Sequence, residues 1–235
     1  MERPNIKHIF DSHELSKKTK THLQNVYYEM TVGLCITTLS LCLASLSCFI
    51  NHNVLPILHA LTIPLVIVQL SLIFYMMYSN TYNKKSYFYT FSALEGLTLF
   101  PIVNLANTID NSIAITALIT TIIVFGSFTY LSFQTNKRSV LYLSGILSSC
   151  LISLTVISLI NLFLHSEILF KIDLYLGLVV FCMYIIYDTQ MIIKEADDGN
   201  YDVIFHAMTF YLDFINIFIR ILVILMRNSN NKKKK

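Results

Sequence analysis

Charge is what this sequence has least of. Only 13% of its 235 residues are Asp, Glu, Lys or Arg, where a soluble globular chain carries roughly 25%. So few charges cannot cover a water-facing surface. With 55% hydrophobic residues and a mean hydropathy of +0.61, no soluble fold suits the chain. Tryptophan is absent, so any aromatic belt at a membrane interface must be built from tyrosine. No Asn-x-Ser/Thr glycosylation acceptor occurs. The five cysteines, Cys35, Cys42, Cys48, Cys150 and Cys182, show no metal-type spacing; all lie in apolar stretches and read as small hydrophobes. There is no phosphate-cradling glycine loop, His-rich metal motif or nucleophile elbow. His59, His206 and the scattered serines form no catalytic set, so neither enzyme activity nor a cofactor is expected.

The net charge of +3 is small and its excess sits in the tails. No basic face is therefore expected for nucleic acid, whereas tail lysines suit a membrane surface or a sorting receptor. The first 29 residues are polar and contain no apolar core followed by a small-residue cleavage site. Entry into the bilayer is expected to be driven by the first spanning helix.

What is abundant is long apolar sequence. A span needs about 20 apolar residues, and candidates run over 30–50, 54–78, 86–106, 113–133, 140–164 and 168–193. A seventh, 203–226, contains His206, Asp213, Asn216 and Arg220. These spacings predict an all-α integral membrane protein of six to seven transmembrane helices. Its parts are an N-terminal segment (1–29), a helical bundle (30–226) and a basic tail (227–235). Short connections predict antiparallel neighbours.

Lys and Arg set the expected orientation. Arg3, Lys7, Lys17, Lys18 and Lys20 precede the first span, and alternate loops hold Lys84 with Lys85, Lys137 with Arg138, and Lys194. The opposite loops hold only Lys171, which predicts a cytosolic N-terminus. Tyr27, Tyr28, Tyr75, Tyr78, Tyr82, Tyr87 and Tyr89 cluster at the same ends. Seven full crossings would carry Arg227 and Lys232 to Lys235 to the other side, against the charge rule. A seventh helix that turns back, or a strained last crossing, would keep them cytosolic. Lys232 and Lys233 would then stand where a dilysine endoplasmic-reticulum retrieval signal is read, the alternative being a merely soluble tail.

Ionisable groups at membrane depth are expensive, so Glu95, Asp173, Asp188 and Asp213 each need a reason. His206, Asp213, Arg220 and Arg227 recur every seven residues, drifting only about 20° per step around a helix. With Thr209 and Asn216 beside them they form a polar stripe that must face protein or water, unless the helix lies flat on the interface. Asp188 lies inside the sixth segment, and Tyr184, Phe181, Gly177 and Asp173 share roughly its face. At 1.5 Å per residue, Asp188 stands about 9 Å before the short link to the seventh segment and Asp213 about 16 Å after it. The two carboxylates can face one another. At close range in a low dielectric both cannot ionise cheaply, so the pair reads as a proton-sensitive element. Its oxygens also suit a hard cation such as calcium. Glu95, midway along the third segment near Pro101, is either a lining acid or a hydrogen-bonded packing acid.

Specific pieces resemble a known family. They are Asp173-Leu-Tyr-Leu-Gly-Leu-Val-Val180, Tyr187-Asp-Thr-Gln-Met-Ile-Ile-Lys-Glu-Ala196 and Tyr211-Leu-Asp-Phe-Ile-Asn-Ile-Phe218. Upstream stand His22-Leu-Gln-Asn-Val-Tyr27, Glu95-Gly-Leu-Thr-Leu-Phe-Pro101, Lys137-Arg-Ser139 and Leu143-Ser-Gly-Ile-Leu147, and the chain closes on lysines. Together they resemble the Bax inhibitor family, closest to its founding endoplasmic-reticulum branch, over nearly the whole chain. The resemblance implies a helical bundle with the last helix at its centre. It also implies a pH-sensitive calcium leak of the endoplasmic reticulum membrane and suppression of stress-induced cell death. The family's two sensor aspartates map onto Asp188 and Asp213. Glu95, Asp173, His206, Asn216 and Arg220 are then pore or relay candidates, and the expected partners are calcium ions, protons, the lipid bilayer and cell-death regulator proteins. The family's basic latch is not carried over, because the nearest basic residues, Lys84 and Lys85, lie in a loop. Phe100 stands where a Gly before the proline is usual. Two other readings stay open: a proton-coupled transporter, and a non-conducting scaffold that binds cell-death regulators.

Overall fold

The computed structural model describes residues 16–51, 54–78, 83–134 and 137–233, with the backbone alone for 137–142. Arg3, Lys7 and Tyr82, used above for orientation, lie outside the described residues, and nothing is said of the side chains of Lys137 and Arg138. Among the described residues seven helices follow one another: α1 (Lys17–Ile50), α2 (Val54–Tyr78), α3 (Lys84–Ile109), α4 (Ile113–Gln134), α5 (Lys137–Leu164), α6 (Glu167–Asp197) and α7 (Val203–Lys233). No strand occurs among the described residues. All seven helices are long and apolar enough to cross a membrane. The fold is an all-α integral membrane bundle.

Local chemistry explains the helix ends. The Ser16 hydroxyl caps α1 by accepting the Thr19 N–H at 3.1 Å, satisfying a first-turn donor that the helix itself cannot. Asp110 turns the chain between α3 and α4, its Oδ1 accepting both the N–H and the hydroxyl of Ser112 at 2.8 Å. The α6 helix ends at Gly199, whose φ of 93° lies in the left-handed region where a side chain would be strained. Its N–H donates to Ala196 O, and that of Asn200 to Glu195 O. The α3 helix continues through Pro101 to Ile109.

The seventh helix does not turn back. It is one continuous element from Val203 to Lys233, long enough for a full crossing. At one end of the bundle Asp202 meets Lys84 at 2.5 Å. At the other Arg227 meets Glu167 at 2.6 Å and the Lys233 ammonium donates to Ile109 O. The helix therefore runs the full height of the molecule.

It is also the centre of the bundle. α7 packs against α1, α3, α4 and α6, and buries Phe210, Tyr211, Phe214, Ile217 and Leu222 among others. α5 packs on α6, and α2 chiefly on α3, so both are peripheral. Their outward Leu, Ile and Phe side chains are exposed, as a lipid-facing surface requires.

Glycine brings α1 and α3 together. A Cβ on Gly33 would meet the Phe88 ring at 2.6 Å, and one on Gly96 would strike Thr37 O and Ser40 Cβ. Small residues permit such close backbone approach where apolar burial alone gives helices no reason to associate. In the contact, Ser40 Oγ donates to Ala93 O at 2.6 Å and Thr37 Oγ1 to Ser92 O at 2.9 Å. Thr37 also shares a 2.6 Å hydrogen bond with the hydroxyl of Tyr211, joining α7 to both.

Candidate functional site: a polar ladder between α6 and α7

The heptad stripe of α7 faces α6 rung by rung. His206 Nε2 lies 3.0 Å from Glu195 Oε2. Asp213 and Asp188 are electrostatic neighbours on the same seam. Arg220 lies over the Phe181 ring, 5.3 Å from its centroid, and donates to Asp173 O at 2.6 Å, with Asp173 Oδ2 at 3.5 Å. Arg227 lies over the Phe170 ring and pairs with Glu167. On α6, Glu195, Asp188 and Phe181 are themselves seven apart, so two antiparallel heptad rows meet. A shared period of seven keeps such a seam in register along its length.

The middle rung is the most secluded. Asp188 and Asp213 are both buried, at 9% and 5% exposure. Two carboxyls can join by a hydrogen bond only when one of them carries a proton, because an ionised carboxylate is an acceptor alone. The second oxygen of Asp213, Oδ2, is buried and has no hydrogen-bond partner. Around the rung, Gln190 Nε2 donates to Ser132 O and Thr189 Oγ1 to Ile185 O, which ties the neighbouring turn of α6 to α4 and to itself. The aspartates are thus held on rigid elements.

The Arg220 rung depends on Gly177. A Cβ there would collide with the guanidinium, so glycine leaves the slot in which Arg220 lies against α6. The fit is incomplete: Arg220 Nε and Asp173 Oδ1 are buried without partners. Asn216 does not join the ladder; its Nδ2 donates to Leu212 O in its own helix. Nor is Glu95 brought to the aspartates. It accepts from Gln69 Nε2 of α2 at 2.6 Å. Lys232 and Lys233 stand at the end of the bundle opposite Lys84.

Sequence reasoning missed the cluster that closes the ladder at the Lys84 end. His22 Nε2 of α1 lies 2.8 Å from His206 Nδ1, so Glu195, His206 and His22 form one hydrogen-bonded chain across three helices. Nearby, Thr19 Oγ1 donates to Asp197 Oδ1 at 2.8 Å, and Glu29 accepts from Lys85 at 2.6 Å and Tyr89 at 2.8 Å. Glu195 is seven residues past Asp188, so continuing the heptad count along α6 would have found it. Asp202 caps α7, its Oδ1 accepting the Phe205 N–H at 3.1 Å. Partial burial pushes its carboxyl up, but the Lys84 ammonium and the Phe205 N–H outweigh this and hold it below the ordinary carboxylate range.

Residues 19–231 match the family model described as inhibitor of apoptosis-promoting Bax1. The chain belongs to that family. Relatives agree in length as well as sequence. A probable Bax inhibitor 1 of Paralichthys olivaceus is 32% identical over 235 residues, covering 98% of this chain and 95% of its own. Bax inhibitor 1 of Bos taurus is 31% identical over 231 residues, with 98% and 96% covered. Bax inhibitor 1 of Oryza sativa is 33% identical over 222 residues, with 94% and 86% covered. The matched stretch of this Bax inhibitor family member spans every rung of the ladder, from Glu167 to Arg227.

Proposed function

We propose that this protein is a pH-sensitive calcium leak pathway of the endoplasmic reticulum membrane that suppresses stress-induced cell death, with Asp188 and Asp213 as its gate. The observation that carries the reading is the buried carboxyl pair between α6 and the central helix α7. A proton shared by two carboxyls holds the helices together. Losing it leaves two like charges facing each other in a low dielectric, which drives them apart or recruits a cation. Oxygen ligands and a hard divalent cation suit one another, and Asp213 Oδ2 has a lone pair free to offer. In the present arrangement Arg220, Asp173 and Phe181 close the ladder beyond the pair. Opening therefore requires α7 to shift against α6, giving a path with Glu95 on its α3 side.

The lysine and arginine count supports a cytosolic N-terminus, and seven crossings would then carry Arg227 and Lys233 to the luminal side. A retrieval role for Lys232 and Lys233 needs a cytosolic tail and is not part of this reading.

The test is calcium efflux from proteoliposomes across a pH series. Wild-type protein should leak with a pH-dependent rate. Asp188→Asn and Asp213→Asn, each of which keeps the shape and removes one titrating group, should flatten that dependence. Unchanged pH profiles in both would exclude the pair as sensor. Flux that saturates with an organic solute and carries protons in fixed ratio would instead make the protein a transporter. A protein that conducts nothing yet still protects cells would be a scaffold.

A further inference from the structure

A second feature stands on the other side of α7 from the ladder. α1 and α4 both pack against α7, but make no extensive contact with each other. Between them lies a cavity of about 1080 Å³, walled by Leu34 and Leu41 of α1 and Ile115 and Ile122 of α4, with Phe214 and Phe218 of α7 at its back. Along α4 it extends from Ala114 to Thr129, about 22 Å at 1.5 Å per residue. That is more than half of the roughly 30 Å hydrocarbon core. Polar groups stand at its end near the α3–α4 link, where Asn107 and Asn111 are both exposed.

We propose that this cleft binds an acyl chain of a membrane glycerolipid, with the ester and headgroup region held at Asn107 and Asn111. The walls are mostly apolar, with Tyr27, Thr31, Thr37, Thr38 and Thr129 the hydroxyl-bearing exceptions, and an empty space of this size forfeits the dispersion contacts of the side chains around it. The cleft opens sideways between two spanning helices, so the medium that reaches it is bilayer hydrocarbon. A chain is long and narrow, as the cleft is, and the amides at one end give its polar end hydrogen-bond donors. The occupant then touches the buried Phe214 and Phe218 of the central helix, which lipid on the outer surface does not reach. Ion conduction plays no part in this cleft, which is built from α1, the last turns of α3, α4 and the apolar face of α7.

The experiment uses the full chain in phosphatidylcholine vesicles containing a small fraction of phosphatidylcholine with a photoreactive diazirine near the end of one acyl chain. After illumination, adducts are mapped by mass spectrometry. Label on the Phe214–Phe218 segment is expected. A Cβ on Gly126, in the cleft, or on Gly145 of α5, outside it, would meet nothing within 4 Å, so both positions accept a larger side chain. Gly126→Phe should lose most of the α7 label, while Gly145→Phe keeps it. An unlabelled α7 in the wild type, or equal α7 label in Gly126→Phe, overturns the proposal. So does displacement of the label by a sterol but not by added phospholipid, or photocrosslinking evidence that a second copy's helix fills the cleft. The same vesicles loaded with calcium report leak separately, so failure of the lipid site and failure of the channel reading are distinguishable.

Discussion

At the residue scale, a glycine and an arginine depend on each other. Arg220 can reach Asp173 O only because Gly177 has no side chain, and the guanidinium is the far end of a flexible chain that can be pushed away. Gly177→Ala should therefore cost what the displaced arginine gave, about 1–3 kcal/mol for charged hydrogen bonds that are lost or left unmade. Thermal unfolding in detergent would register it as a lower midpoint. In an Arg220→Ala background the same change should cost much less, because neighbours in one network are not additive. Equal costs in both backgrounds would show that Gly177 serves helix packing alone. Asp173, Gly177 and Phe181 were legible in the sequence as one face with Asp188, by steps of three and four. Their use was not, since nothing in that count says that an arginine from another helix lies across them.

At the scale of elements, the start of α7 is fixed by Asp202, which both caps the helix and pairs with Lys84. Asp202→Ala should lower stability by about 1 kcal/mol for the lost cap, whereas Asp202→Ser keeps a capping oxygen and should cost less. The pH behaviour follows from the sign of the shift. A carboxyl held below its unfolded value, near 3.9, contributes stability that is whole above that value and is lost as pH falls through the lower folded one. The Asp202 carboxyl's own contribution to the cost of Asp202→Ala should thus fade only below roughly pH 4. Variation between about pH 5 and 8 would instead report His22, which feels the Asp202 charge. A cost that is unchanged down to about pH 2 would exclude a titrating Asp202. The α7 stripe itself was readable, because a seven-residue recurrence of His, Asp and Arg has a single geometric meaning on a helix. The matching row on α6 was only half readable. Glu195 lies where the sequence looks like a link, and His22 comes from a helix 184 residues away.

At the scale of the whole molecule, a continuous α7 predicts an odd number of crossings among the described helices. In sealed vesicles, a cysteine at Asn83 and one at Ser229 should be labelled by a membrane-impermeant maleimide from opposite sides. Asn83→Cys should react in intact cytosol-side-out microsomes and Ser229→Cys only after permeabilisation. Labelling of both from one side would restore the re-entrant helix and return Lys232 and Lys233 to the cytosol. The charge rule favours a re-entrant helix or a strained last crossing because Lys and Arg resist transfer. In the structure Arg227 is held by Glu167 and the Phe170 ring, and Lys233 by Ile109 O.

The sequence by itself determined that this chain lies in a membrane, where most of its helices begin and end to within a turn or two, and that α7 needs other helices around it. The exception in extent is α1, which starts at Lys17 rather than near residue 30. Hydropathy and helical period are local properties, so they survive being read in one dimension. Only the tertiary structure decided which acids meet. Asp188 finds Asp213, as antiparallel spacing allowed, but Glu95 turns to Gln69, and His206 bridges Glu195 to His22. The cleft between α1 and α4 is likewise absent from any linear pattern, because it is a space left between helices that are distant in sequence. Pairing depends on which faces the glycine contacts and the central helix bring together, and those distances exist only once the bundle has closed.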